Sequence, residues 1–407
     1  MSSLSTWQYD TPIKRPLLTA PFIFFSSLAV IGVLLSAKRL IGGLAFTGMN
    51  DDFAWGVWKT FNVMTLTALG SSALAMGIVV WLFDQQQLHS VMRTALVSSI
   101  LFYATGMFAL GFDVGRPWNF YNILFIWRWN PHSALLEVAV CMTAYAAIFL
   151  LYENLPAFIP AKWFARIKPV YPFMVAAAFV LPAMHQSSLG TLMVIGGPKV
   201  HALWQTQMLP FFYLMQAIVC GFASLIVILM VSCLAWRRPI DVPVLSAIAK
   251  YMSWVSLAFI VLRYVDLGIR GAIGLSFEAT RYSAFFYAEN LLLLVPAIIL
   301  LNERLRRTPR VIFVTSILTA LGGLLYRFSP TTFAFRAGGN SMYFPTVTEL
   351  LMCLGYISLA IALFIYAATR YAILPDQLSP DDSLGDRAGR SLTADETSAL
   401  HHQLKKD

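Results

Sequence analysis

Apolar residues run along this chain in long blocks separated by short polar interruptions. Ten blocks are long enough to cross a bilayer, which takes about 20 mainly apolar residues in a helix. They lie at roughly 18–38, 55–83, 94–112, 133–152, 170–196, 209–235, 251–275, 282–301, 310–327 and 348–370. The pattern predicts an all-α polytopic membrane protein, with a ten-helix domain over 18–370. The first block follows Lys14 and Arg15, as a signal peptide would. It is too long for one, and no small-residue cleavage site precedes a soluble domain, so it reads as the first span. From about Pro375 the chain turns polar and ends in HHQLKKD. Residues 371–407 are therefore expected to be a disordered tail. No internal repeat and no soluble second domain are visible.

Composition agrees. Of 407 residues, 58% are hydrophobic and 12% charged, with a mean hydropathy of +0.69. Soluble domains carry about 25% charged residues. The net charge of +9 reads as membrane orientation and not as nucleic-acid binding. Loops on the N-terminal side hold 13 Lys and Arg against 7 opposite, the densest run being NERLRRTPR at 302–310. The positive-inside rule then places residues 1–17 and the tail in the cytoplasm. Cys141, Cys220, Cys233 and Cys353 all fall inside blocks with no C-x-x-C pair. That argues against disulfides and against an iron–sulfur cluster or zinc site on this chain. The outer loops are long and rich in aromatics, Gly and Pro, as in GFDVGRPWNFYNILFIWRWNPHS. They suit an interfacial aromatic belt or a platform for a partner protein.

The chemistry-bearing residues are the ionisable groups inside the blocks, because such groups are expensive in hydrocarbon and tend to mark sites. Asp113, Glu137, His185, Asp266, Glu289 and Glu349 gather towards the outer half, with Lys59, Arg116, Arg263 and Arg270. Asp113 with Arg116, and Asp266 with Arg263 or Arg270, suit ion pairs. Glu137 and His185 have no opposite charge close in sequence. A carboxylate and an imidazole facing one cavity can hydrogen-bond the two carbonyls of a quinone and exchange its protons. Of the six histidines, His185 alone is deep; His132 and His201 sit at outer loops, and His89, His401 and His402 on the cytoplasmic side. No pair is available to ligate a transmembrane haem b, so no haem is expected. Electrons must then come from a cofactor on a partner docked at the outer loops.

WGVW (55–58), DVGRPWN (113–119), SALLEVAVCMT (133–143), LPAMHQSSLGTLM (181–193), KVHALWQTQMLP (199–210), FIVLRY (259–264) and YFPTVTELL (343–351) resemble, in order, segments of the NrfD family. These are the quinone-interacting membrane subunits of the polysulfide reductase type. The resemblance covers nearly the whole chain and is strongest in MHQSSLG and LLEVAVCMT. It implies two four-helix bundles with two extra helices in the bacterial inner membrane. It also implies a pocket for menaquinone or ubiquinone near the periplasmic face, and no haem or iron–sulfur cluster on this chain. Electrons would pass to or from a ferredoxin-like iron–sulfur subunit, with a nickel–iron hydrogenase the favoured catalytic partner. A molybdopterin enzyme or multihaem cytochrome is the alternative. By the resemblance, Glu137, His185 and Tyr103 would be the catalytic residues and Asp113 a further site residue; Asp113 with Arg116 would shape the pocket mouth or hold the subunit interface. A proton-coupled transporter is a further alternative. It would show matching interrupted helices in two inverted halves, which are not evident.

Overall fold

The computed structural model describes residues 16–50, 52–53, 55–130, 171–238, 240–336, 343–371 and 373–374, together with 133, 136, 138, 140, 141 and 144. Nine long apolar helices lie within these residues: α1 (Ala20–Gly42), α2 (Val57–Leu82), α3 (Met92–Asp113), α4 (Tyr171–Ile195), α5 (Leu209–Trp236), α6 (Val242–Ile269), α7 (Arg281–Leu301), α8 (Pro309–Phe333) and α9 (Val347–Arg370). The fourth apolar block and the polar tail lie largely or wholly outside the described residues. The protein is an all-α integral membrane protein.

Most helix limits fall within a few residues of the apolar blocks, because length and hydropathy alone set them. α6 departs most. It begins at Val242, not near 251, because Asp241 caps it by accepting the Val244 N–H at 3.1 Å, with Pro243 in the first turn. Lys250, just before the apolar block, is therefore an exposed residue on that helix. α6 stops at Ile269, short of 275, where Gly271 turns the chain at φ +66°.

α5 is the central element. It packs against α2, α4, α6 and α8, and small residues set the separations. A Cβ on Gly190 would lie 2.5 Å from Pro210 Cα, and one on Gly221 would lie 2.5 Å from the Ser71 main chain. α5 to α8 close into a four-helix ring through the α5–α6, α6–α7, α7–α8 and α8–α5 contacts. α2, α3 and α4 lie on the other side of α5. α1 and α9 form a separate antiparallel pair against α3. Among the described residues, α5 to α8 form one four-helix bundle and α1 with α9 a separate pair.

Two ends can be told apart. One gathers the long loops: His201 N–H bonds the Ala334 carbonyl at 2.9 Å, Gly48 N–H bonds Glu349 at 2.9 Å, and Arg270 bonds the Ala202 and Gln205 carbonyls at 2.8 Å each. The other carries Arg237, Arg304, Arg306 and Arg307, with Arg306 bonded to Ser246 at 3.2 Å. We call these the loop-rich and the basic end.

The α1–α9 seam is a close backbone approach, since a Cβ at Gly32 would lie 2.6 Å from Gly355 Cα. Gly355→Leu should therefore destabilise the purified protein by about 1–3 kcal/mol in detergent unfolding. Gly268→Ala, with nothing within 4 Å of the added carbon, should stay within about 0.5 kcal/mol of wild type. Equal stability of the two variants would contradict the seam.

Candidate functional site

Most charges in the loop-rich half are satisfied across helices. Asp113, at the end of α3, faces Lys59 of α2 at 3.2 Å and Arg39 of α1 at 3.8 Å. The expected Asp113–Arg116 pair does not form, because the chain leaves the helix after Asp113 and Arg116 is exposed. Asp266 does pair with Arg270, at 2.8 Å, and accepts from Thr206 at 2.8 Å. Arg263 turns instead to Glu289 of α7. Glu289 is fully buried and also accepts from Trp204 and Ser329, at 2.8 Å each. Glu349 closes a capping box with Thr346 at the start of α9 and accepts from Tyr343 at 2.8 Å. Engaged by groups on other helices or loops, Asp113, Glu289 and Glu349 read as joints between helices.

His185 is different. It is 0% exposed; neither ring nitrogen has a side-chain hydrogen-bond partner among the described residues, and the Val138 backbone lies within reach of the ring. Its ring meets the Tyr103 ring edge-on, with centroids 5.3 Å apart. The Tyr103 hydroxyl accepts from Gln186 Nε2 at 3.1 Å and lies 3.4 Å from Ser71 Oγ. Three helices thus meet here: α4 brings His185 and Gln186, α3 brings Tyr103, and α2 brings Ser71. Ten residues separate His185 from the end of α4, and ten separate Tyr103 from Asp113. At 1.5 Å per residue both lie about 15 Å below the loop-rich end, near mid-membrane. Tyr103, which the resemblance implies as a catalytic residue, lies beside His185. Glu137 lies outside the described residues.

Further polar atoms without partners lie on the neighbouring helix. α2 widens to a π-helical stretch at Thr60–Thr65, a feature frequent at functional sites. The Thr60 and Thr65 hydroxyls and both amide atoms of Asn62 are buried without partners there. The Gln186 carbonyl oxygen and Arg327 Nη1 are in the same condition. Arg327 went unnoticed in the sequence because a charge at the end of an apolar block looks like an interfacial anchor. The helix instead continues to Phe333 as a π turn and buries it completely. The only cue was the apolar and hydroxyl run FSPTTFAF after it.

A cavity of about 720 Å³ opens between α1, α2, α3, α5, α8 and α9, lined by Phe25, Leu69, Phe102, Leu321 and Phe364 among others. Neither His185 nor Tyr103 lines it. Its apolar walls suit an acyl or isoprenoid chain.

Residues 45–329 match the family model described as "Polysulphide reductase, NrfD". The chain belongs to the polysulphide reductase NrfD family. It is 35% identical over 89% of its length, and 95% of the relative's, to the probable Ni/Fe-hydrogenase 2 b-type cytochrome subunit of Escherichia coli (strain K12). It is 26% identical to the menaquinone reductase integral membrane subunit of Nitratidesulfovibrio vulgaris, over 76% of this chain and 78% of that one. The first relative's name attaches a b-type haem to that protein. Here the described residues do not fit one. His201 is stacked on Tyr282 at 4.2 Å in a loop, and His89 sits edge-on to Trp81 at the basic end of α2, which leaves His185 without a histidine opposite it. Nor does any cluster of three or more His, Cys, Asp or Glu suited to a metal occur among the described residues.

His201 serves the frame. Its backbone and ring clamp the 197–208 loop to Ala334 and Tyr282. Burial, reinforced by the Arg336 charge, pushes its pKa down to about 4. The neutral form is favoured in the fold, so this contribution is intact above about pH 6.5 and is lost as pH falls from there towards 4. Between pH 7 and 4.5, wild type should lose more thermal stability than His201→Gln. Parallel pH curves for the two would contradict the clamp.

Proposed function

We propose that this chain is the quinone-reactive membrane subunit of an oxidoreductase complex, and that His185 and Tyr103 form the head of its quinone site. The observation that carries this is His185: a fully buried imidazole with no side-chain partner on either nitrogen, beside a phenol already held by Gln186 and Ser71. A neutral imidazole presents one donor and one acceptor, and a phenol hydroxyl can do either. That set can bind the two oxygens of a quinone and its quinol, and can pass the two protons that accompany the two electrons. The relative named as a menaquinone reductase subunit supports the substrate class. Glu137, on the fourth apolar block, is proposed as the carboxylate partner of His185 in proton exchange. Asp113, held between Lys59 and Arg39, braces α1, α2 and α3 above the site.

The electron donor or acceptor is proposed to be a ferredoxin-like iron–sulfur subunit docked on the loop-rich end, with a nickel–iron hydrogenase behind it. The hydrogenase-subunit relative at 35% identity supports that choice. So does the 117–128 loop, where Trp118, Leu124, Ile126 and Trp127 are 68%, 75%, 68% and 78% exposed. Exposed apolar surface of this kind marks partner or membrane contact, and Arg116 and Arg128 flank it. By the same reading the loop-rich end faces the periplasm from a bacterial inner membrane, and both termini are cytoplasmic.

His185→Ala, Tyr103→Phe and Glu137→Gln should each assemble with the partner subunits but lower quinone-linked turnover by at least about tenfold, the lower range for lost acid–base groups. Turnover with an artificial acceptor that bypasses the membrane subunit should be unchanged. Wild-type quinone turnover in the His185 variant would overturn the assignment.

A further inference from the structure

Arg327 is a buried cation with no carboxylate partner among the described residues. Its side chain is 0% exposed. Nε donates to Gln216 Oε1 at 3.0 Å, and Nη2 to the Tyr213 carbonyl at 2.6 Å. The guanidinium lies over the Tyr213 ring, 4.1 Å from its centroid. All of these partners are formally neutral. Nη1 has no acceptor. Glu289, on the adjoining α7, is already engaged by Arg263, Trp204 and Ser329.

Guanidinium does not deprotonate in proteins, so the charge is permanent. A single uncompensated charge in a low-dielectric interior is costly. The surroundings hold it in place all the same. Gly323, one turn earlier on α8, leaves room for Gln216, since a Cβ there would fall on Gln216 Nε2 and Cys220 Sγ. Gln216 donates in turn to Cys220 at 3.0 Å, leaving its carbonyl for Arg327. Arg327 is within electrostatic reach of both His185 and Tyr103. It lies six residues from the end of α8, about 9 Å deep at helical rise, on the loop-rich side of His185.

We infer that Arg327 is an anion-selecting residue of the same site: its free Nη1–H and permanent charge favour the ionised form of a quinone headgroup over the neutral one. This rests on the quinone reading above and deepens it. Direct neutralisation by a ligand oxygen accounts for a cation that the fold holds with neutral acceptors and leaves with one donor open. A purely structural arginine tying α8 to α5 would use the same two bonds but would not discriminate between ligands by charge.

The test uses the full chain, purified in mild detergent with its partner subunits retained. The probes are a 2-hydroxy-3-alkyl-1,4-naphthoquinone, a vinylogous acid ionised at neutral pH, and its neutral 2-methoxy ether. Wild type should bind the ionised probe at least about tenfold more tightly, a difference of about 1.4 kcal/mol. Arg327→Gln should bring the ratio to about one while the ether's affinity changes little, and Arg327→Lys should keep part of the preference. If Arg327→Gln fails to fold, wild type alone suffices: the preference should vanish as acid protonates the hydroxy probe. A wild-type ratio near one, or an unchanged ratio in Arg327→Gln, would overturn the role of Arg327 and leave the quinone site standing. Failure of both probes to bind wild type would remove the quinone site and this inference together.

Discussion

Inside hydrocarbon a polar atom has no water to turn to, so each one must find a partner in the protein or bear the cost of having none. The rest of this structure depends on how that constraint is met. Glu289 takes bonds from three helices or loops, Asp113 draws in two cations from α1 and α2, and Glu349 caps its own helix and ties down the 48 loop. Each of these also fixes one helix end against another. The polar residues that stabilise the loop-rich end are the same ones that build its shape.

The exceptions then become informative. His185, Arg327 Nη1, the Gln186 carbonyl and the Asn62 amide are buried polar atoms without side-chain hydrogen-bond partners, in a set that also includes Trp58 Nε1, Asp113 Oδ1 and the Tyr213 hydroxyl. Unmet hydrogen-bonding capacity of this kind is what a polar ligand, or water accompanying it, would satisfy. The π-helical widening of α2 at Thr60–Thr65 and the glycines at 190, 221 and 323 let the helices approach closely around α5 while leaving these atoms facing inward. Tight packing and an unsatisfied polar interior are here two results of the same local choices.

Hydropathy carried the fold far. Block length alone located nine helices, and most of their ends, because crossing the bilayer imposes one dominant requirement on composition. It misplaced the start of α6, where a cap at Asp241 and not the apolar run decides the end. His185 was legible because an imidazole inside an apolar block is conspicuous. Its proximity to Tyr103 was not, since that depends on how α3 and α4 are rotated against each other. The partners of Asp113 and Arg263 were likewise hidden. Both were expected to pair within a turn, yet both pair with residues on other helices, and such pairings follow only from packing. Arg327 escaped because it is the last residue of its apolar block, where a charge looks like an interfacial anchor, and only the π turn after it reveals that the charge is inside.

The central claim is that a quinone headgroup sits at His185 and Tyr103. A menaquinone analogue carrying a photoreactive azide on its ring tests it most directly. It would be crosslinked in native membranes, and the labelled residues located by mass spectrometry. The account predicts label on the α3 segment around Tyr103 and the α4 segment around His185, suppressed by excess menaquinone. Label confined to the apolar cavity near Phe25, Phe102 and Phe364, with none at either segment, would contradict it.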